Sequence, residues 1–153
     1  MTKRKLEFVN IIFLSFFITA IDQASKYFVF HELPQGETFY ILPRFIRYTL
    51  VKNTGAAFSL LSQHTELLTI LSITATIFIT IWLYKNQPFP ILQGTGFGFL
   101  LGGTIGNGID RLSLGYVRDF IELTPLNFPV FNIADLSINI AIVFLIFNAL
   151  RKK

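Results

Sequence analysis

Residues 67–84 read LLTILSITATIFITIWLY, eighteen consecutive residues without a charge. As a helix such a run is about 27 Å long, close to the roughly 30 Å hydrocarbon core of a bilayer. Three further apolar stretches lie around it. The first runs from about Leu6 to Phe30 and is interrupted late by Asp22 and Lys26. Another, Ile91–Ile109, is uncharged and glycine-rich, and the last, from about Ile133 to Leu150, carries one charge, Asp135, near its start. Each is long enough to span if its polar end sits at an interface. These runs predict an all-α membrane protein with four transmembrane helices, a single integral-membrane domain over residues 1–153.

Composition agrees. Of the 153 residues 52% are hydrophobic and 14% charged, with a mean hydropathy of +0.58. Soluble domains carry about a quarter charged residues. There is room for spans and short loops but not for a second, soluble domain. Eighteen phenylalanines supply bulk for packing and lipid contact. The absence of cysteine excludes disulfides, thiol catalysis and cysteine-based metal sites. The two histidines, His31 and His64, are far apart and lack ligand spacing, so no metal is expected. The net charge is +4, but no basic stripe interleaves with aromatics, and no nucleic-acid partner is expected. Lys3-Arg4-Lys5 before an apolar run resembles the start of a signal peptide. The run is too long for such a peptide and no small-x-small site follows, so it is read as a span.

An even number of spans places both termini on one side. Seven of the thirteen basic residues fall there: Lys3, Arg4, Lys5, Lys85, Arg151, Lys152 and Lys153. The positive-inside rule makes that side cytoplasmic. The opposite, outer face then holds two loops, about His31–Glu66 and Arg111–Phe131. In the first, Phe39–Leu42 and Phe45–Val51 are rich in aromatic and β-branched residues and flank Pro43. They predict a small β-rich element lying on the membrane surface. In the second, the alternating stretch Tyr116–Ile121 is able to pair with it.

The few polar residues of this apolar chain gather at the outer ends of the spans or in the outer loops. Ionisable groups inside a membrane are costly, so each is a functional candidate. Asp22 and Lys26 are four apart on one helix face and form an ion pair, with Lys26 reaching outward. Asn53-Thr-Gly-Ala-Ala-Phe58 reads as a turn in which Gly55 allows close backbone approach and Asn53 caps or binds a peptide. Gly94, Gly98, Gly102 and Gly106 recur every four residues, a smooth ridge for close helix packing. That ridge brings Asn107, Asp110 and Arg111 toward another span, with Asp110 and Arg111 able to form ion pairs. Asp119 sits between apolar neighbours, which raises a carboxyl pKa. Asn132, Asp135 and Asn139 form a polar stripe at the start of the last span, with Asn132 placed as a helix cap.

No nucleophile elbow, serine–histidine pair or phosphate loop is present. What remains is a group of carboxylates at one membrane face. Two close carboxylates share a proton, one acting as base toward water while the other polarises a carbonyl. On the residues alone Asp135 has two candidate partners. Asp110 has Arg111 beside it, which favours a permanently ionised structural role, and Asp119 has apolar neighbours, which suits a shared proton. Sequence spacing does not choose between them.

Five segments in order, Asp22–Lys26, Asn53–Phe58, Gly102–Arg111, Gly115–Ile121 and Phe131–Asp135, resemble the lipoprotein signal peptidases of bacteria, the type II signal peptidases. The resemblance covers almost the whole chain, with a somewhat short stretch between Asp119 and Asp135. It implies an aspartic endopeptidase of the bacterial cytoplasmic (inner) membrane, multi-pass, monomeric, without metal or cofactor, and active near the outer face. Its partners would be membrane lipid and a diacylglyceryl-modified prolipoprotein, cut just before the lipidated cysteine. It assigns Asp119 and Asp135 as the catalytic pair. Asp22, Lys26, Asn53, Gly55, Asn107, Asp110, Arg111 and Asn132 become supporting or substrate-positioning residues. Two other classes compete: a small proton-coupled transporter with Asp22, Asp110 and Asp135 as relay sites, and a non-catalytic assembly factor whose aspartates only cap and pair.

Overall fold

The glycine ridge sets the architecture. In the computed structural model, which describes residues 3–33, 38–55, 64–126 and 128–151, four helices surround one another in the order α1 (Lys3–Glu32), α2 (Thr65–Asn86), α3 (Ile91–Leu114) and α4 (Ile133–Leu150). Helix α3 packs against all three others. Its glycines serve more than one neighbour, where the sequence spacing pointed to one. Toward α1, a Cβ added at Gly98 would lie 2.7 Å from Leu14, and one at Gly102 would lie 2.8 Å from the Ser15 carbonyl oxygen. Toward α4, one at Gly103 would lie 2.5 Å from the Ala134 carbonyl oxygen and 2.8 Å from Ile138. Backbones therefore meet where side chains are missing, and the Thr19 hydroxyl donates across the gap to the Gly102 carbonyl at 3.1 Å.

Three helices among the described residues are long and apolar enough to cross a membrane: residues 7–32 of α1, α2 and α4. Helix α3, expected as an equal fourth, falls short in apolarity. Seven glycines and the polar Asn107, Asp110 and Arg111 dilute it, and its buried side chains face protein rather than lipid. The outward surfaces of the other helices are the reverse. Phe13, Phe16, Phe78 and Val143 are all more than 60% exposed, as expected for surfaces solvated by lipid tails. At one end Ile11, Leu83 and Leu101 form a buried cluster edged by Trp82, Phe89 and Phe97.

At the other end sits an antiparallel sheet in the order β1 (Thr38–Leu42), β2 (Ile46–Asn53) and β3 (Val117–Leu123). Both expected strand regions form, and the pairing of the second outer loop with the first is β2 with β3. Arg47 faces Glu122 across that pair and binds its carboxylate at 2.6 and 2.8 Å. A register shift between Tyr48 and Val51 re-aims the end of β2. Gly115, at φ 76°, caps α3 in the left-handed conformation and turns the chain into β3. The chain then returns, and Phe131 pairs with Ile121 through hydrogen bonds of 2.8 and 3.0 Å. That return delivers the start of α4 to β3. Ala56–Phe58 of the small-residue turn lie outside the described residues.

Gly103→Ala should destabilise the protein by about 1–3 kcal/mol, because the new methyl group meets the backbone of α4. Gly94→Ala, whose Cβ would make ordinary contacts beginning at 3.4 Å, should be nearly neutral. Thermal unfolding in detergent compares the two.

Candidate active site

Two polar networks lie side by side where α1, α3, α4 and β3 meet, and they differ in charge. The first is built on Asp22 and Lys26 of α1. Their ion pair is present at 2.8 Å, but Lys26 does not reach outward; both side chains are fully buried. Lys26 turns inward because Asp110 and the Asn107 side-chain oxygen Oδ1 wait at 3.4 and 2.9 Å. The other oxygen of Asp22 accepts the Ala134 N–H at 2.9 Å, in the first turn of α4, where a negative charge is favoured by the helix dipole. Gly106 makes room for this carboxylate, since a Cβ there would lie 2.5 Å from Asp22 Oδ2.

Asp110 belongs to this first network. Arg118 binds it through its backbone N–H at 2.9 Å and its guanidinium at 2.7 and 3.2 Å, and Gln23 donates to it at 3.0 Å. The expected Asp110–Arg111 pairing does not occur. Adjacent residues on a helix point about 100° apart, and Arg111 instead reaches the Gly55 carbonyl at 3.3 Å. The partners Arg118 and Gln23 went unassigned in the sequence. The signal for Arg118 was available: in an alternating strand it must face away from Asp119, toward α3. Two buried aspartates and one lysine also leave a cation to be found.

The second network is built on Asn132, Asp119 and Asp135. Asn132 is fully buried and caps α4: its side-chain oxygen accepts the Asp135 N–H at 2.9 Å, and its own N–H donates to Asp135 Oδ2 at 3.2 Å. Its amide group donates at 2.6 Å to Asp119 and at 3.1 Å to Asn107. Asn107 donates in turn to the other Asp135 oxygen at 2.8 Å. On the far side Asn53 donates to Asp119 at 2.8 Å while its oxygen accepts the Gly55 N–H at 2.9 Å. Asn53 thus both caps its turn and reaches across the sheet, from opposite Val117 to the same-face neighbour two residues on.

Asp119 is 1% exposed. Burial pushes its carboxyl up to about 7, and the Asp135 carboxylate adds to the rise, against the amide donors of Asn53 and Asn132. No cation bonds it directly among the described residues. Asp119 and Asp135 line one cavity of about 850 Å³ between the sheet and α2, α3 and α4. Asn53, Gly55, Asn107, Arg111 and Asn139 also line it, as do apolar residues such as Leu68, Leu71 and Ile138. Asp22, Lys26 and Asp110 do not. The Arg111 Nε, buried, has no hydrogen-bond partner among the described residues. Nor do three His, Cys, Asp or Glu side chains converge there as metal ligands.

The networks should respond oppositely to neutralisation. Asp110→Asn strands Arg118 and leaves Lys26 with Asp22 as its one carboxylate, and should cost roughly 3–5 kcal/mol, read as lost folded protein or a much lower melting temperature. Asp119→Asn should stabilise. A carboxyl whose folded pKa is raised supports the fold below its unfolded value near 4 and loses that support as pH rises through about 7. Thermal stability should therefore decline between about pH 4 and 7 and flatten above, and Asp119→Asn should remove that part of the decline.

The chain as a whole is similar to known proteins. The family model described as signal peptidase (SPase) II matches residues 14–151. A lipoprotein signal peptidase of Parasynechococcus marenigrum is 45% identical over 126 residues, 82% of this chain and 79% of that protein. One of Enterococcus faecalis is 36% identical over 130 residues, 85% and 81% of the two chains. A solved bacterial membrane enzyme at 1.9 Å resolution superposes with a TM-score of 0.84 at 30% identity, covering 94% of each chain. Another, at 2.3 Å, gives 0.86 over 93% of this chain and 88% of the other. On this evidence the chain belongs to the signal peptidase II family, a family of membrane-bound peptidases.

Proposed function

We propose that this chain is an aspartic endopeptidase that removes the signal peptide from diacylglyceryl-modified bacterial prolipoproteins, cutting just before the lipidated cysteine. The observation that carries the reading is that Asp119 and Asp135 open onto one cavity and are tied to one buried asparagine, Asn132. The names of the relatives, lipoprotein signal peptidase, supply the substrate class.

Asp135 acts as the base. It lines the cavity, and its two oxygens accept the Asn107 amide and the Asn132 N–H, which hold it in place at the first turn of α4. Asp119, with its carboxyl raised to about 7, carries the shared proton. Asp135 takes a proton from water as the water oxygen bonds to the scissile carbonyl carbon, and Asp119 gives its proton to the carbonyl oxygen. The tetrahedral species collapses as Asp119 recovers a proton from its hydroxyl and Asp135 passes its own to the amide nitrogen. The carbon–nitrogen bond breaks. The signal peptide leaves as a carboxylic acid that gives up its proton to the new amine, so the products are a carboxylate and the ammonium of the lipidated cysteine. Arg111 and the Asn53–Gly55 turn hold the peptide across the cavity. Asp22, Lys26 and Asp110 are fully paired and act as the scaffold that holds Asn107 and α4.

The same reading sets the protein in the membrane. Helix α3 crosses as a fourth span, shielded by the other three, and the single domain has both termini in the cytoplasm. The sheet and cavity lie near the outer face of the cytoplasmic membrane, where a lipidated cysteine is held. The chain works as a monomer and without a cofactor.

Asp119→Asn and Asp135→Asn should each lower the rate of cleavage of a diacylglyceryl-modified prolipoprotein by about 10²–10⁴ or more while leaving folded yield intact. Full activity in either variant removes that residue from the mechanism. In the wild type, kcat/KM should fall as pH rises above about 7, the raised value of the Asp119 carboxyl that must stay protonated.

A further inference from the structure

A second cavity, of about 590 Å³, lies at the opposite end of the bundle, between the first turn of α3 and the last turns of α4. Its walls combine apolar and polar groups. Phe144 and Ile91, the latter 90% exposed, supply apolar surface, while Thr95, Asn148 and Arg151 supply polar groups. Helix α3 begins at this wall without a side-chain cap, since its N-cap is Pro90. The first N–H groups of a helix lack partners within it, and here they carry the positive end of the α3 dipole.

Asn148 is the second, independent sign. It is only 8% exposed, lines this cavity, and makes no side-chain hydrogen bond among the described residues. With no protein partner among them, its amide is left to whatever occupies the cavity. On the apolar second half of α4, a half-enclosed amide such as this is costly unless something meets it. Arg151, stacked 4.9 Å over the Phe147 ring, adds a guanidinium that suits phosphate. The carbonyl end of α4 works against an anion here, and Arg151 offsets it. Glu7 accepts the Phe89 N–H at 3.3 Å and is not part of the cavity wall.

We propose that this cavity holds the phosphodiester headgroup of an anionic phospholipid, with the phosphate between the α3 N-terminus and Arg151, Asn148 and Thr95 on the glycerol oxygens, and the acyl chains along Ile91 and Phe144. Lipid is favoured over free phosphate because the walls that continue from the polar groups are apolar and face the bilayer. A bound lipid would fasten α3, the least apolar helix, to α4 at the end remote from the peptidase site.

The test measures binding of dioctanoyl-phosphatidylglycerol, dioctanoyl-phosphatidylcholine and inorganic phosphate to the full chain in detergent, by native mass spectrometry with thermal unfolding alongside. Phosphatidylglycerol should bind roughly tenfold more tightly than phosphatidylcholine and raise the melting temperature. Inorganic phosphate should not reproduce the stabilisation. Arg151→Gln should abolish the preference, and Asn148→Leu should weaken binding of both lipids. Lys85→Gln, a basic residue outside the cavity, should keep the preference. Cleavage of prolipoprotein should stay unchanged in Arg151→Gln, so loss of lipid preference is separable from any failure of the peptidase assignment. Equal binding of the two lipids, an intact preference in Arg151→Gln, or full stabilisation by inorganic phosphate would each overturn the proposal. If Asn148→Leu does not fold, Arg151→Gln and Thr95→Val decide it.

Discussion

Everything at the polar end of this protein depends on how closely α3 approaches its neighbours. Glycines on two faces of one helix remove the side chains that would hold α1 and α4 away. Asp22 then sits against the Gly106 backbone, and the start of α4 sits against Gly103. Without that approach Lys26 would not reach Asn107 at 2.9 Å, nor Asn107 reach Asp135 at 2.8 Å. Close packing in the apolar part of the bundle thus sets hydrogen-bond lengths in the polar part.

The two networks divide the work of burying charge. Asp22, Lys26, Asp110 and Arg118 bring two negative and two positive charges together, with Gln23 filling the remaining positions. Such a cluster is costly to break, and its members are held still. Asp119 and Asp135 receive amides instead of cations. Amide donors orient a carboxyl group without fixing its charge as a salt bridge does. Neutral donors around two neighbouring carboxyls suit an exchangeable proton, and the site opens to a cavity able to admit a peptide.

The sequence made the helices legible because lipid demands long apolar runs, and the strands legible because Phe39–Val51 and Tyr116–Ile121 carry aromatic and β-branched residues. Asn132 as a cap, the Asp22–Lys26 pair and the Asn53 turn could be read from short-range spacing. Long-range pairings could not. That Asp110 takes Arg118 and Lys26 rather than Arg111 depends on where β3 returns after Gly115. The inward turn of Lys26 depends on acceptors 81 and 84 residues away in sequence. Helix α3 is less apolar than the other three: run length weighs glycine as apolar, whereas its glycines lower its hydropathy and serve close packing. The choice of Asp119 over Asp110 lay beyond spacing, and the family resemblance pointed to the residue that shares the cavity with Asp135.

The central claim is that Asp119, beside Asp135 on one cavity, holds a proton near neutral pH. Infrared difference spectroscopy of the detergent-solubilised protein, titrated across neutrality with aspartate carboxyl groups isotopically labelled, tests it directly. A protonated-carboxyl band should be present at about pH 6, fade through about pH 7, and vanish in Asp119→Asn while surviving in Asp135→Asn. Absence of that band at about pH 6, or its persistence in Asp119→Asn, would contradict the account.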